Sequence, residues 1–312
     1  MERIETTIAP RVGTAASGGE QDEVDLIPVR TYWQLVRQRF LAHRLAVIAL
    51  FTMSTLVALA LIVPTLTGEA YAKTSLSQSM LPPSLAHPLG TNQIGQDMFL
   101  RLMKGLQTSL IIGFMSVGII GLIGVTLGSI SGFYGGKIDN LIMRFVDVVL
   151  SLPVFFVILM IVAVLGKGSA AVVIIAIGLT GWTLACRLVR AEFLKLREAD
   201  FVQAGRALGA SSRRIISRHI LPASLAPVVV AATLGIADSV VAEASLSFLG
   251  FGISPPEASL GNLLKNFDED LQVRPWLLIP PAVTIVLVVL SASFLGDGLR
   301  DALDPRQRVE SK

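Results

Sequence analysis

Long apolar stretches separated by polar segments dominate the pattern of this chain. A helix that crosses the hydrocarbon core of a bilayer needs about 20 consecutive apolar residues. Windows of that length occur at 45–65, 109–131, 145–165, 169–187, 226–249 and 276–296. The pattern therefore predicts an all-α integral membrane protein with six transmembrane helices.

The basic residues between the spans indicate the orientation of the chain. With the N-terminus inside, 20 of the 26 Lys and Arg residues fall in the inner segments. Lys and Arg are enriched in cytoplasmic loops of membrane proteins. The inner segments are 1–44, 135–144, 187–222 and 297–312. Both termini are therefore predicted to be cytoplasmic, and the protein is expected in the inner or plasma membrane as a multi-pass protein.

The overall composition agrees with this class and excludes others. Hydrophobic residues make up 53% and charged residues 16% of the chain, and the mean hydropathy is +0.68. The sequence pI of about 9.2 follows from the inner basic segments, so we expect contact with membrane lipid and no nucleic-acid partner. Three His residues and the single Cys186 leave little material for a metal site or a disulfide framework.

The polar segments divide the chain into five regions. The first is polar and rich in Gly, Ser and Thr, which is typical of disorder, and a basic amphipathic helix at 30–44 is predicted to lie on the membrane surface. The regions are a disordered cytoplasmic tail (1–28), that helix with the first span (29–80), an extracytoplasmic segment before span two (81–106), the transmembrane core (107–300) and a second cytoplasmic tail (301–312).

The longest internal cytoplasmic segment, residues 190–222, which we call the cytoplasmic loop, has a helical pattern of its own. Apolar residues three or four positions apart predict a first helix, and Gly209 follows where a left-handed residue ends a helix. Ser211 or Ser212 can cap a second helix, which Pro222 is expected to end. The residues on one side of each helix are Phe201, Ala204, Ala207 and Leu208, then Ile215, Ile216, His219 and Ile220.

Two interpretations of the cytoplasmic loop follow from its residues. A positively charged loop can serve only to fix the membrane orientation. Alternatively, an apolar face with a basic rim, which includes Arg213, Arg214 and Arg218, fits a docking element for a cytoplasmic protein that offers an apolar groove and acidic edges.

The cytoplasmic loop resembles the EAA signature of ABC importer permeases: E-A-A, three residues, G, nine residues and I-x-L-P. The matching positions are Gln203, Ala204 and Gly205 for the triplet, Gly209 for the glycine, and Leu221 and Pro222 for the end. Gln203 replaces the acidic residue, Gly205 replaces the second alanine, and His219 stands where the pattern has Ile. A neutral Gln keeps hydrogen-bonding capacity without the charge, so this departure affects any salt bridge there and not the two helices.

Two further stretches resemble the dipeptide, oligopeptide and nickel permeases of this class. They are HPLGTNQIGQDMFLRLMKGLQTSL just before span two and AEASLSFLGFGISPPEASLGNLL at the end of span five and in the following loop. The resemblance covers residues 30–305 and is closest to the C-type permease. It implies the type I ABC importer permease fold, and it implies transport of dipeptides or oligopeptides. Import of nickel or another small solute by the same family is the alternative.

The resemblance also implies partners. They are a second, B-type permease, one or two ATPase subunits that bind ATP and Mg, and an extracytoplasmic substrate-binding protein. The residues implied in coupling to the ATPase are Gln203, Ala204, Gly205, Gly209, Arg213, Arg214, Leu221 and Pro222.

No cofactor site and no enzymatic site is expected in this chain. GKGS at 166–169 is not a P-loop, because Ile161 stands at the required glycine and Gly168 follows Lys167. A self-sufficient secondary transporter or channel is a further alternative, and it predicts internal inverted repeats. An intramembrane enzyme would need a nucleophile–base pair that the sequence does not offer.

Three acidic residues lie in apolar windows, where a bare carboxylate is costly and usually functional. Asp147 follows Arg144 by three residues, so an ion pair on one helix face is expected as an alternative to a pathway role. Asp238 and Glu243 are five residues apart, about 140° around a helix, so one can line the pathway while the other bonds a neighbouring helix.

Small and cyclic residues predict details of helix packing. Gly124 and Gly128 form a G-x-x-x-G pair, which predicts a close helix–helix contact. Pro153 in span three, and Pro280 with Pro281 in span six, are expected to break or kink those helices.

Overall fold

The computed structural model of the chain describes residues 32–265 and 272–303, with side chains from Gln34 onward. The tail predicted at 1–28, and most of the one at 301–312, lie outside these residues. Strand pairing in the described part is limited to two isolated bridges. The helices are α1 Tyr32–Ala42, α2 Arg44–Thr67, α3 Met98–Tyr134, α4 Gly136–Ser151, α5 Val154–Leu165, α6 Ala170–Leu196, α7 Asp200–Ala207, α8 Ser212–Ile215, α9 Leu221–Ala223, α10 Leu225–Phe248 and α11 Pro275–Leu303.

The membrane-spanning helices agree with the predicted windows. Within the described residues, α2, α3, α6, α10 and α11 are each long and apolar enough to cross a membrane, and the bent pair α4–α5 provides a sixth crossing if it is counted as one span. A helix is present in the region predicted for the surface helix at 30–44, as α1, and its position on the membrane surface stays a prediction. The helix α1 ends at Ala42, and the Nδ1 of the following His43 accepts a hydrogen bond from the amide of Ala46 at 3.1 Å and so caps α2.

The helix α3 is longer than its predicted span and absorbs part of the outer segment. Asp97 caps it by accepting the amide of Leu100 at 3.0 Å, and its 37 residues extend about 55 Å. Residues 98–106, which belong to the predicted outer segment, are therefore the start of α3. Met98, Leu102 and Leu106 are buried in the core of the bundle, and only Ile94 remains exposed.

The third predicted span is broken. α4 and α5 meet at an angle of 85°, because Leu152 before Pro153 is extended, with φ −90° and ψ 140°, as a residue before proline prefers. The 12 residues of α5 reach only about 18 Å, which is less than the bilayer core of about 30 Å. The window 145–165 is thus two short helices.

The prolines of the last span have no such effect. Of the break or kink expected at Pro280 and Pro281, the break is wrong, because α11 runs without interruption from Pro275 to Leu303. The hydroxyl of Thr284 donates to the carbonyl of Pro280 at 2.8 Å. Hydroxyl side chains of this kind satisfy backbone groups near a proline in a membrane helix, so the helix continues.

Glycines bring α3 into direct contact with α6. A Cβ atom at Gly124 would lie 2.7 Å from the Cβ of Ala185, one at Gly128 would lie 2.6 Å from the carbonyl oxygen of Cys186, and one at Gly132 would lie 2.5 Å from the Cβ of Phe193. Real Cβ atoms do not approach other atoms so closely. The close contact predicted from Gly124 and Gly128 is confirmed, and Gly132 extends it towards the cytoplasmic end.

The rest of the bundle packs around the outer half of α3. Residues from α2, α10 and α11 meet it in one buried cluster that includes Met53, Leu106, Val240 and Val288. A second cluster joins α3 to α5 and α6 through Ile112, Ile158 and Val173. The helix α3 is therefore the central element of the fold.

The close contact of α3 with α6 gives the first prediction. Gly128→Val would force its side chain into the backbone of α6, and overpacking of this kind costs about 1–3 kcal/mol. We expect a lower melting temperature of the detergent-purified protein and less of it in the membrane.

The matched control is Gly118→Val, in the same helix, because a Cβ at Gly118 meets nothing within 4 Å in this chain. Equal thermal stability of the two variants would contradict the role given to Gly128.

Candidate functional site

The cytoplasmic loop begins later than its predicted boundary. α6 continues to Leu196, so residues 190–196 are the end of a transmembrane helix and not part of a connecting segment. The helix α7 follows after three residues, at Asp200. The loop is therefore built directly onto the end of α6.

The end of α7 has the geometry expected from Gly209. This glycine has φ +79°, its amide bonds the carbonyl of Arg206 at 2.9 Å, and the amide of Ala210 bonds the carbonyl of Gly205 at 3.0 Å. These two bonds form a Schellman motif, which needs a left-handed residue that glycine adopts without strain. The turn between α7 and α8 is thus fixed by its own hydrogen bonds.

Pro222 does not end the second helix of the loop, contrary to the expectation. The chain passes from α8 through a π-helical stretch, Ile216–Ile220, into α9, and Pro222 lies in the first turn of α9. The wider π turn lets the amide of Leu221 bond the carbonyl of Ile216, and a proline at the start of a helix lacks only an amide that would have no partner there. Leu221 and Pro222 therefore connect the loop to α10 as a nearly continuous helix.

Ser211 occupies the predicted capping position before α8, but its side chain makes no capping hydrogen bond.

One side of the cytoplasmic loop is buried against the transmembrane helices. Val202 and Ile215 are each 1% exposed and Ile220 is fully buried. They pack in one cluster with Phe133 of α3 and Phe193 of α6. The loop is thus attached by apolar side chains to the two helices that the glycines hold together. Ile216 is half-buried, and His219, which was expected on the same side, is exposed.

The opposite side of the loop is apolar and exposed. Leu208 is 89% exposed and Phe201 is 44% exposed. These two residues, with Arg214 and His219, line a depression of about 480 Å³ between the two helices of the loop. Arg213 is also exposed. An apolar depression with basic residues at its edge is a surface able to receive a complementary protein.

The triplet residues lie on this outward side. Ala204 and Gly205 line the depression, and a Cβ at Gly205 would meet nothing within 4 Å. Gln203 turns back along the chain, and its side-chain amide donates to the carbonyl of Glu198 at 3.0 Å. Gln203 therefore stabilises the connection from α6 to α7 as a donor, a role that a carboxylate at this position could not fill.

An ion pair between α4 and α6, close to the start of the cytoplasmic loop, was not predicted from the sequence. Asp139 of α4 accepts two hydrogen bonds from the guanidinium of Arg190 of α6, at 2.5 and 2.6 Å, and one from the hydroxyl of Ser131 of α3 at 2.5 Å. The three helices are joined there. The sequence did contain one signal for this pair. Asp139 is an acidic residue in the short, basic inner segment 135–144, and its own helix has no basic residue three or four positions away from it.

Asp147 forms an ion pair with the neighbouring helix α6. Its carboxylate bonds Arg187 of α6 at 2.5 Å, and both side chains are about half exposed. The pairing expected with Arg144 is therefore wrong, because the tertiary contact of α4 with α6 offers a closer cation. A lining role for Asp147 has no support from this position.

Glu243 is fully buried and satisfied. Its carboxylate accepts hydrogen bonds from the hydroxyls of Ser109 and Ser247, each at 2.6 Å. The same hydroxyls accept the amides of Leu260 at 3.2 Å and Ile253 at 3.0 Å. Glu243 thus fixes the segment after α10 against α3.

Asp238 has a different environment from Glu243. It is exposed, and it makes no hydrogen bond or ion pair to any part of the chain that the structure describes. It stands in the wall of a cleft of about 650 Å³, which is formed by α3, α5, α6 and α10. Of the three acidic residues singled out from the sequence, Asp238 alone is among the residues that line this cleft.

Comparison with known proteins agrees with these features. Residues 124–309 match the family described as the binding-protein-dependent transport system inner membrane component, and residues 31–83 match the N-terminal transmembrane domain of oligopeptide transport permease C.

Curated relatives cover most of the chain. A dipeptide transport system permease protein of Alkalihalophilus pseudofirmus is 39% identical over 276 residues, which are 88% of this chain and 90% of that protein. An oligopeptide transport system permease protein of Mycobacterium tuberculosis is also 39% identical, over 88% of this chain and 94% of its own length. A glutathione transport system permease protein of Pectobacterium atrosepticum is 37% identical over 89% of this chain and 92% of that protein.

A solved structure shares the fold. The inward-facing MetNI methionine ABC transporter has a chain that superposes with a TM-score of 0.54 at 22% identity, over 66% of this chain and 98% of that chain. Since the family match spans more than half of the sequence and full-length relatives exceed 30% identity, this chain belongs to the inner membrane components of binding-protein-dependent transport systems and has the ABC importer permease fold.

Proposed function

We propose that this chain is one of two permease subunits of an ATP-driven importer of dipeptides or oligopeptides. It forms half of the pathway for the solute and contacts an ATPase subunit through the cytoplasmic loop. ATP and Mg bind to the ATPase subunits and not to this chain. A second, B-type permease and an extracytoplasmic binding protein complete the complex.

The observation that carries the proposal is the two-sided cytoplasmic loop. Its inner side packs through Val202, Ile215 and Ile220 against α3 and α6, and its outer side exposes Phe201 and Leu208. A segment that only fixed membrane orientation would need neither the packing nor the exposed apolar residues. Exposed apolar side chains at an ordered surface mark interaction sites.

The connections of the loop suggest how a movement of the ATPase subunits reaches the membrane helices. At one end it continues α6, and at the other it runs through α9 into α10. The Asp139–Arg190 pair links α4, and hence α5, to the same end of α6. When ATP closes the two ATPase subunits, the loop moves with its docking surface. We infer that α6 and α10 then move together with it and change which side of the membrane the cleft faces.

The proposed solute class rests on the relatives. They are named as dipeptide, oligopeptide and glutathione permeases, and glutathione is itself a small peptide. Nickel or another small solute is the alternative within the family. A self-sufficient secondary transporter has no support from a family that depends on a binding protein.

Reconstitution tests the proposal directly. The chain is purified with its permease and ATPase partners, placed in liposomes with the binding protein, and assayed for ATP-dependent uptake of trialanine. Uptake that requires ATP, the ATPase subunits and the binding protein is the expected result. Uptake by this chain alone, or no peptide uptake by the complete complex, would refute it.

The turn at Gly209 gives a second prediction. Gly209→Val places a β-branched residue at φ +79°, where left-handed geometry costs L-residues about 1–2 kcal/mol. We expect the protein to reach the membrane in normal amounts while peptide uptake is lost or ATP hydrolysis becomes independent of uptake. Uptake and ATPase activity of the same preparation are measured.

Gly209→Asn is the control for this prediction, because Asn tolerates the left-handed region, and it should retain most of the coupling. Normal peptide uptake by Gly209→Val would contradict the role given to the turn at Gly209 in coupling.

The exposed side chain of Leu208 gives a third prediction. Leu208→Glu changes a residue that is 89% exposed, so the fold is kept, but a charge enters the proposed docking surface. Replacing a residue at the centre of an interface costs about 1–3 kcal/mol or more of binding free energy. The affinity of the permease for the ATPase subunit should therefore fall about tenfold or further. Co-purification of the ATPase subunit with the permease is the measurement.

Leu85→Glu makes the same chemical change at a fully exposed leucine in the segment before α3, on the predicted outer side. We expect ATPase co-purification with this control to equal that of the unmodified chain. If Leu208→Glu also co-purifies normally, the docking surface lies elsewhere.

A further inference from the structure

The cleft contains a carboxylate that has no partner of opposite charge in the described part of the chain. Asp238 is the one ionisable residue among the described residues that line it. The other lining residues are apolar or small, apart from the hydroxyls of Thr180 and Ser239. The hydroxyl of Thr180 already donates within its own helix, to the carbonyl of Ala176 at 2.9 Å. Nothing in the described part of the chain therefore neutralises the carboxylate.

The position of Asp238 along α10 makes this arrangement costly. It is the fourteenth of the 24 residues in this helix, so it lies near the middle of the membrane by helical rise. An ionised carboxylate at that depth is rare unless it faces water or a partner of opposite charge. Glu243, less than two turns further along the same helix, has two hydroxyl donors. Burial and the two hydroxyl donors thus mark Glu243 as a structural carboxylate, whereas the exposed Asp238 has no donor in the described part of the chain.

The wall of the cleft around Asp238 is suited to a passing solute. Small residues line it on three helices, including Gly121 of α3, Gly181 of α6, and Gly235 and Ala242 of α10. By contrast, the outward surfaces of α2 and α5 carry bulky side chains such as Phe51 and Val164, which are 75% and 79% exposed. The cleft has room for a molecule of peptide size, and its one charge is negative.

Building on the proposed function, we propose that the carboxylate of Asp238 pairs with the cationic group of the solute as it passes the middle of the membrane. For a peptide that group is a basic side chain, because the protonated α-amino end is common to all peptides and does not distinguish one from another. Asp238 is then a specificity-determining residue of the permease, which favours cationic over anionic peptides at the transport step itself. The binding protein still decides which peptides reach the cleft.

The test compares Asp238→Asn with the unmodified chain in the reconstituted complex. Uptake rates of Ala-Lys-Ala and Ala-Glu-Ala are measured with the binding protein saturated by each peptide, so that its own preference does not enter. Hydrogen bonds to charged groups contribute about 1.5–3 kcal/mol. We therefore expect the uptake rate of Ala-Lys-Ala divided by that of Ala-Glu-Ala to fall about tenfold or more in Asp238→Asn. Asp238→Glu keeps the charge and should restore the ratio.

Asp147→Asn is the matched control. It removes one negative charge from the same chain, at an exposed ion pair outside the cleft, and should leave the ratio unchanged. The amount of assembled complex and its ATPase activity are measured for every variant. If Asp238→Asn fails to assemble, Asp238→Ser provides a second neutral side chain in the same cleft.

Two failures are distinguishable. An unchanged ratio in Asp238→Asn and Asp238→Ser, with uptake intact, overturns the role of Asp238 and leaves the proposed function standing. Absence of peptide uptake by the unmodified complete complex overturns the proposed function, and the role of Asp238 with it.

Discussion

The close contact between α3 and α6 is the interaction on which the rest of the molecule depends. Within a membrane, apolar side chains gain little by leaving lipid for protein, so helices associate through close packing and through polar contacts. Gly124, Gly128 and Gly132 remove the side chains that would keep the two backbones apart. Their spacing of four residues keeps this contact on one face of α3. At its cytoplasmic end, Phe133 and Phe193 form the surface on which the loop packs.

Polar groups within the helices form the second level of organisation. Asp139 joins α3, α4 and α6 through Ser131 and Arg190, and Glu243 joins α10 to α3 through Ser109. Each carboxylate has its donors, as buried polar groups require. Together they fix the inner end of the bundle and the segment after α10. Asp238 has no such donors and faces the cleft, so it is available to a solute in a way the other two are not.

The prolines show how far local sequence rules extend. Pro153 breaks the third span as its chemistry predicts, because the residue before it is driven out of the helical region. Pro280 and Pro281 leave α11 continuous, and Pro222 lies inside a helix because a π turn precedes it. These outcomes depend on hydrogen bonds from Thr284 and from the Leu221 amide, which a rule about proline alone does not contain.

The sequence by itself determined the helical membrane class, the number and order of the spans, the turn at Gly209 and the close contact at Gly124 and Gly128. Each follows from local length, hydrophobicity or glycine geometry. It also led to the importer permease family through the pattern around Gln203 and Gly209. The tertiary structure decided which charges meet. Asp147 pairs with Arg187 and not with Arg144, and Asp139 pairs with Arg190 some fifty residues away. Glu243 is bonded by Ser109 of α3, whereas Asp238 faces the cleft. Partners from other helices depend on three-dimensional packing, and helical periodicity within one segment does not specify them.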